Sequence, residues 1–172
     1  MFISPEQIIE NLAPKAGDIV ADFGCGNGAY DFAASKLVGD RGKVYAIDMY
    51  TDMLDKLARE ADKMNIINID TIVANVEEKV HLNNNTCDII ILSNILSEVV
   101  NIDNLIKETK RVLKPNGIVL IVDWKNTKEN ISLKRHSLIE EEKVVAILAK
   151  YDFTVRKHFP AGDYHYAFTV SS

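Results

Sequence analysis

The chain is poor in the features that would place it in a special environment. It has two cysteines, Cys25 and Cys87, in no CxxC or metal-ligand spacing. That excludes a disulfide framework or a zinc module and fits reduced thiols. No apolar run approaches the ~20 residues of a membrane span. The stretch Met1 to Glu6 lacks the basic and apolar regions of a secretory leader. A cytoplasmic location without a membrane span is therefore expected. Cationic excess is missing as well: the formal net charge is -5, so no nucleic-acid partner is expected. The histidines His81, His136, His158 and His165 do not cluster, and no metal site is expected. Repeats and low-complexity stretches are absent.

What is there is ordinary globular material. The 172 residues, 47% hydrophobic and 26% charged, suffice for one domain over 1–172 and not comfortably for two. Ser4-Pro5-Glu6-Gln7 reads as a helix start, with Ser4 as N-cap, Pro5 at the first helical position and Gln7 completing a capping box. Ile19 to Phe23 reads as a first strand. Residues 29–38 read as a helix turning Phe32, Ala33 and Leu37 inward. Lys43 to Asp48 reads as a strand, 52–64 as a helix and Ile69 to Ala74 as a third strand. Asp88 to Leu92 is apolar enough to be buried on both faces, as in a parallel sheet. A helix through Ile102, Leu105, Ile106, Thr109, Val112 and Leu113 follows. Lys114 to Gly117 reads as a turn and Ile118 to Val122 as a fifth strand.

Ser137-Leu138-Ile139-Glu140 reads as a second capping box opening a last helix. Two strands then close the chain, near Phe153 to Phe159 and Tyr164 to Val170, around the loop Pro160 to Asp163. This alternation predicts an α/β class: a Rossmann-like, doubly wound, seven-stranded, mostly parallel sheet with a C-terminal antiparallel hairpin and helices on both faces. Ligands of such sheets bind beyond the carboxyl ends of the strands. Asp22, Asp48, Asn75, Asn94 and Asp123 all fall at that edge.

The segment Val20-Ala21-Asp22-Phe23-Gly24-Cys25-Gly26-Asn27-Gly28 joins an apolar run to a helix through a glycine-rich turn. Two cofactor readings follow. Gly24, Gly26 and Ala29 fit the dinucleotide pattern, and Asp48 lies about 20 positions beyond Gly28, near the spacing of a ribose-binding acid. The alternative is another adenosyl cofactor. G-x-G-x-G preceded by an acid, the closing hairpin, Asn75-Val76 after the third strand, and a chain with no room for a substrate domain favour it.

On these segments, together with Val44 to Asp48, Cys87 to Val99 and Leu113 to Gly117, the chain resembles the class I S-adenosylmethionine-dependent methyltransferases over nearly its whole length. Ser93 to Val99 and Asp123-Trp124-Lys125 resemble small methyltransferase domains similar to ubiquinone/menaquinone-biosynthesis enzymes. The resemblance implies S-adenosylmethionine as cofactor and S-adenosylhomocysteine as product. It implies that Gly24, Gly26 and Gly28 admit the methionine part, where side chains would collide with it, and that Asp22 helps hold its ammonium. Asp48 would accept from both ribose hydroxyls, Met49 would cover adenine, and Asn75 with Val76 would read the adenine edge. Asn75 replaces the commoner Asp. Asn94 and Ile95 would border cofactor and substrate, with Cys25 serving through its backbone.

A sulfonium methyl is already reactive, so the protein's work is mostly to position the acceptor and exclude water. The sequence identifies no strong base and assigns no catalytic residue. His136, Glu98 and Tyr30 are weak candidates. Residues 124–136 carry Lys125, Lys128, Lys134 and Arg135 against Glu129, suiting a lid, an anionic-substrate surface or a solvated loop. Trp124 would wall the substrate pocket or sit in the core. The expected acceptor is a small molecule and the expected state a monomer or homodimer. A catalytically silent cofactor-binding module and an NAD(P)-dependent oxidoreductase remain the alternatives.

Overall fold

The computed structural model describes residues 3–125, 127 and 138–172. The first helix, α1 (Pro5–Leu12), starts where local chemistry dictates: the Ser4 hydroxyl accepts from the Gln7 amide at 3.3 Å, and the Gln7 side chain accepts from the Ser4 amide at 3.1 Å. It is followed by β1 (Ile19–Phe23), α2 (Ala29–Val38), β2 (Lys43–Asp48), α3 (Thr51–Lys63), β3 (Ile69–Val73), β4 (Cys87–Ser93), α4 (Ile102–Val112), β5 (Leu113–Trp124), α5 (Glu141–Ala149), β6 (Thr154–His158) and β7 (His165–Ser171).

The strands form one sheet in the order β3-β2-β1-β4-β5-β7-β6. β3, β2, β1, β4 and β5 pair in parallel, and β7 runs antiparallel between β5 and β6. An antiparallel strand inserted before the edge departs from the 3-2-1-4-5-6 order of dinucleotide-binding sheets, so the topology speaks against the oxidoreductase alternative.

Strand periodicity sorts the two cores. Ala21, Phe23, Ile90, Leu92, Val119 and Ile121 face α4 and α5; Val20, Val44, Ile89, Ile91, Leu120 and Val122 face α1 and α2. α3 adds Leu54 and Leu57 over Ala46. Each large side chain fully buried here contributes about 1.5–3 kcal/mol. The same alternation turns Asp22, which shares the parity of Val20, toward α2.

Three local expectations change. Leu37 is 37% exposed, while Ala34 and Val38 are fully buried, because the inward stripe of α2 runs through Ala33, Ala34 and Val38. Lys114 to Gly117 does not precede β5 but bulges out within it. Leu113 pairs with Cys87 and Ile118 with Ile89, Asn116 takes φ 63°, and Lys114 Nζ reaches Asp88 at 2.8 Å. Finally, α5 begins at Glu141 with an extended Glu140 before it. The Ile139 carbonyl accepts from the Tyr166 hydroxyl at 3.0 Å, which ties this stretch to β7 rather than to a helical turn. Ser137 lies outside the described residues.

Candidate functional site

A cavity of about 520 Å³ opens at the carboxyl ends of β1, β2 and β4. Its floor is the turn between β1 and α2. The Gly24 and Cys25 amides both donate to the Ile47 carbonyl, at 2.8 and 3.0 Å. Asp48, 8% exposed, accepts from the Gly26 amide with Oδ2 and from the Tyr50 amide with Oδ1, each at 3.0 Å. The glycine turn is thus fastened to the end of β2 by the same carboxylate expected to meet a ribose.

The glycines divide the labour. Gly26 lines the cavity at φ 53°, and a Cβ there would meet no protein atom within 4 Å. Gly28 is different. It stands outside the cavity lining as the N-cap of α2 at φ 79°, and a Cβ would fall 2.6 Å from Leu57 Cδ1. At Gly28, expected from the sequence to admit the cofactor, the absence of a side chain makes room for Leu57. Gly26→Ala is expected to cost only the left-handed backbone penalty of about 1–2 kcal/mol while weakening ligand binding. Gly28→Ala is expected to destabilise more. Thermal denaturation beside calorimetry separates the two.

Asp22, Gly24, Cys25, Gly26, Asp48, Met49, Asn75, Val76 and Asn94 line the cavity, with Ile95, Tyr30 and Glu98. The structure brings together every residue the sequence proposed for the cofactor except Gly28. Asn75 accepts from the Glu77 amide at 3.0 Å, an Asx turn that fixes its carboxamide at the rim. Asn94 holds φ 55°, and its buried Oδ1 meets no donor. Burial holds the Cys25 thiol far above its ordinary range, which removes it as a nucleophile. Burial also raises the Tyr30 hydroxyl to about 12, against a hydrogen bond with Ser93, so Tyr30 stays protonated at neutral pH and can donate a hydrogen bond.

Other expectations find different places. Asp123 is buried and pins the chain after β4, accepting from the Leu96 amide at 3.1 Å and from its own neighbour Trp124 at 2.7 Å. Trp124 packs on His165 in a tilted pair with ring centroids 3.7 Å apart and is not among the lining residues. His158 meets Glu141 at 2.7 Å. Lys125 donates to the Gly162 carbonyl at 3.1 Å. His136, Lys128, Glu129, Lys134 and Arg135 lie outside the described residues.

Sequence reasoning missed Pro5, Tyr50, Met53 and Glu77 in the lining, and above all Asp31. Asp31 is fully buried in the first turn of α2, within hydrogen-bonding reach of Asp22. In sequence it reads as an acid favoured by a helix N-terminus. Its only distinguishing signal is the parity that points Asp22 at the same helix.

The cavity fits S-adenosylmethionine on its own features. Asp22 Oδ1 and Asn94 Oδ1 are buried acceptors without donors, where an ammonium group would supply them. The Gly26 turn admits ligand where a side chain would intrude, and Asp48 stands at the end of β2 with lone pairs to spare.

The comparisons agree. The family model described as "Methyltransferase domain" matches residues 14–159. The chain is 33% identical over 132 residues to a ubiquinone/menaquinone biosynthesis C-methyltransferase of Shewanella sediminis, covering 76% of this chain and 52% of that protein. It is 32% identical over 120 residues to a demethylmenaquinone methyltransferase of Lactobacillus johnsonii, covering 69% and 48%. The chain spans about half the length of these curated relatives. A crystal structure of a SAM-dependent methyltransferase from Aquifex aeolicus superposes with a TM-score of 0.88 at 30% identity, covering 96% of this chain and 88% of that one.

Proposed function

This chain belongs to the methyltransferase-domain family, its cofactor is S-adenosylmethionine, and from that premise we propose that it methylates an electron-rich ring carbon of a small, hydroquinone-like acceptor. The observation that carries the reading is the one cavity that Asp22, Gly26, Asp48, Asn75 and Asn94 all line. The ring-carbon acceptor is supported by the names of the curated relatives, both quinone-pathway methyltransferases.

The bound cofactor supplies an electrophilic methyl group. The chain's own residues do the rest. Asp48 and Asn75 hold the nucleoside end, and Asp22 and the glycine turn hold the amino-acid end. Tyr30, Ser93, Glu98 and Val99 border the remaining space beneath the start of α1, where Pro5 forms part of the wall. Among the described lining residues Asp22, Asp48, Glu77 and Glu98 are acidic and none is basic, which suits a neutral acceptor better than an anionic one. Glu98 is exposed at the mouth and would take up the proton released from the acceptor; Tyr30, kept protonated by burial, would donate a hydrogen bond to an acceptor oxygen.

The test is transfer of an isotopically labelled methyl group to short-chain hydroquinones, read by mass spectrometry. Product carrying the label on carbon is expected, with Glu98→Gln lowering the rate about 100-fold or more, the usual range for a proton acceptor. Absence of S-adenosylhomocysteine binding at millimolar concentration would remove the cofactor reading. Binding with transfer only to a different acceptor class would remove the hydroquinone alone.

A further inference from the structure

Asp31 has no part in the reaction as derived above, yet its carboxyl is fully buried against Asp22. Beyond each other and the backbone amide of Asp31, Asp22 Oδ1 and both oxygens of Asp31 meet no donor. The titratable groups facing the pair are Asp48 from the end of β2, the Cys25 thiol from the turn, and Tyr30 from α2, itself facing Glu6 of α1. None is cationic. Two carboxylates in contact in a dry site cannot both ionise. Asp22 lines the cavity, and Asp31 lies behind it, away from the lining.

We propose that Asp31 is a positioning residue that acts as a neutral hydrogen-bond donor to Asp22 and makes cofactor binding proton-linked. In the ligand-free protein the pair holds two protons at mildly acid pH. Arrival of the cofactor's ammonium group ionises Asp22: the proton on the Asp22 carboxyl leaves to solvent, and the carboxylate left behind accepts from the ammonium and from the Asp31 hydroxyl. No electrons move, and the Asp31 proton stays in place. The inference rests on the reading of the cavity as an S-adenosylmethionine site.

The titration range agrees. Burial raises Asp22 to about 7, with the bond from Asp31 opposing and the charge of Asp48 adding. Burial first, then the charge of Asp22, holds Asp31 well above the usual carboxylate range. The sign follows: below neutrality the cofactor must displace a proton from Asp22, so affinity rises with pH and levels off once Asp22 is already ionised.

The experiment is calorimetry of S-adenosylhomocysteine binding to the whole chain from pH 5.5 to 7.5, in buffers of different ionisation enthalpy. Wild type is expected to release nearly one proton at the acid end and a fraction of one at the neutral end. Its affinity should strengthen up to about tenfold per pH unit on the acid side. 5′-Methylthioadenosine, which lacks the ammonium group, is expected to bind without release. Asp31→Asn, which keeps a donor, should retain the wild-type profile. Asp31→Leu, which removes it, should weaken binding several-fold at pH 7.5 and move the midpoint upward.

Buffer-independent enthalpies for wild type would overturn the proposal. So would an Asp31→Leu variant with the wild-type profile. Should Asp31→Leu not fold, Asp31→Asn decides: a midpoint moved downward would show that Asp31 acts as a charge and not as a donor. Failure of S-adenosylhomocysteine to bind at any pH overturns the site reading itself. Binding without proton release overturns this inference alone.

Discussion

Asp48→Ala is expected to weaken S-adenosylhomocysteine binding by roughly 10- to 150-fold and to lower the stability of the ligand-free protein at the same time. The first effect is the loss of a charged acceptor facing the ligand, about 1.5–3 kcal/mol. The second arises because Asp48 already holds the Gly26 and Tyr50 amides at 3.0 Å each. Without it the turn between β1 and α2 is tied to the end of β2 through the bonds of Gly24 and Cys25 to Ile47. Asp48→Asn retains one acceptor oxygen, so it should fall between wild type and Asp48→Ala in both measurements. Calorimetry reads the affinity and urea denaturation the stability. An unchanged affinity alongside reduced stability would make Asp48 an anchor of the turn and nothing more.

Arg111→Met is expected to be among the most destabilising single changes in the chain, about 3 kcal/mol or more by urea denaturation. Arg111 grips Glu108 at 2.7 and 2.6 Å and donates to the carbonyls of Leu82 and Val80 and to Asn84. Glu108 is 8% exposed and accepts from the Val80 amide at 2.7 Å. Removing the guanidinium leaves a buried carboxylate without its cation, the costly way to break such a pair. Replacing both residues, Glu108→Leu with Arg111→Met, should recover much of the loss for the same reason. A cost below about 1 kcal/mol for Arg111→Met would place the pair with ordinary surface ion pairs. The segment held here continues into Asn75, Val76 and Glu77 of the cavity rim, and Glu77 in turn accepts from the Asn101 amide at the start of α4. Affinity for S-adenosylhomocysteine should therefore fall with stability.

What the sequence made legible is what short-range chemistry decides. Ser4, Pro5 and Gln7 carry their capping box within four positions, and β1, α2 and β2 run over the residues their periodicity marks. The sheet edge was legible because its polar residues each follow an apolar run. What stayed hidden needed a second element. Glu108 and Arg111 read as an i, i+3 surface pair until the 80–84 segment folds over them. Asp123 reads as one more polar group at the edge, and only the position of Leu96 shows that it is a fastener. Asp31 reads as a favourable first-turn acid, because nothing local says that β1 will lie beneath it.

β1 has one neighbour close in the chain and one far away. Its pairing with β2 closes a short α2 crossover, but β4 arrives from 69 positions on, where the Asp88 carboxylate accepts from the Ile19 amide at 2.9 Å. The far wall of the cavity therefore joins its floor only when a distant contact closes, the slow kind of event in folding. The first three strands on their own possess the glycine turn and Asp48 but not Ser93, Asn94 or Glu98. Before β4 docks the cofactor therefore meets only part of its receptor. The full set of contacts exists only in the completed sheet, so raising the cofactor concentration raises the stability of the folded chain.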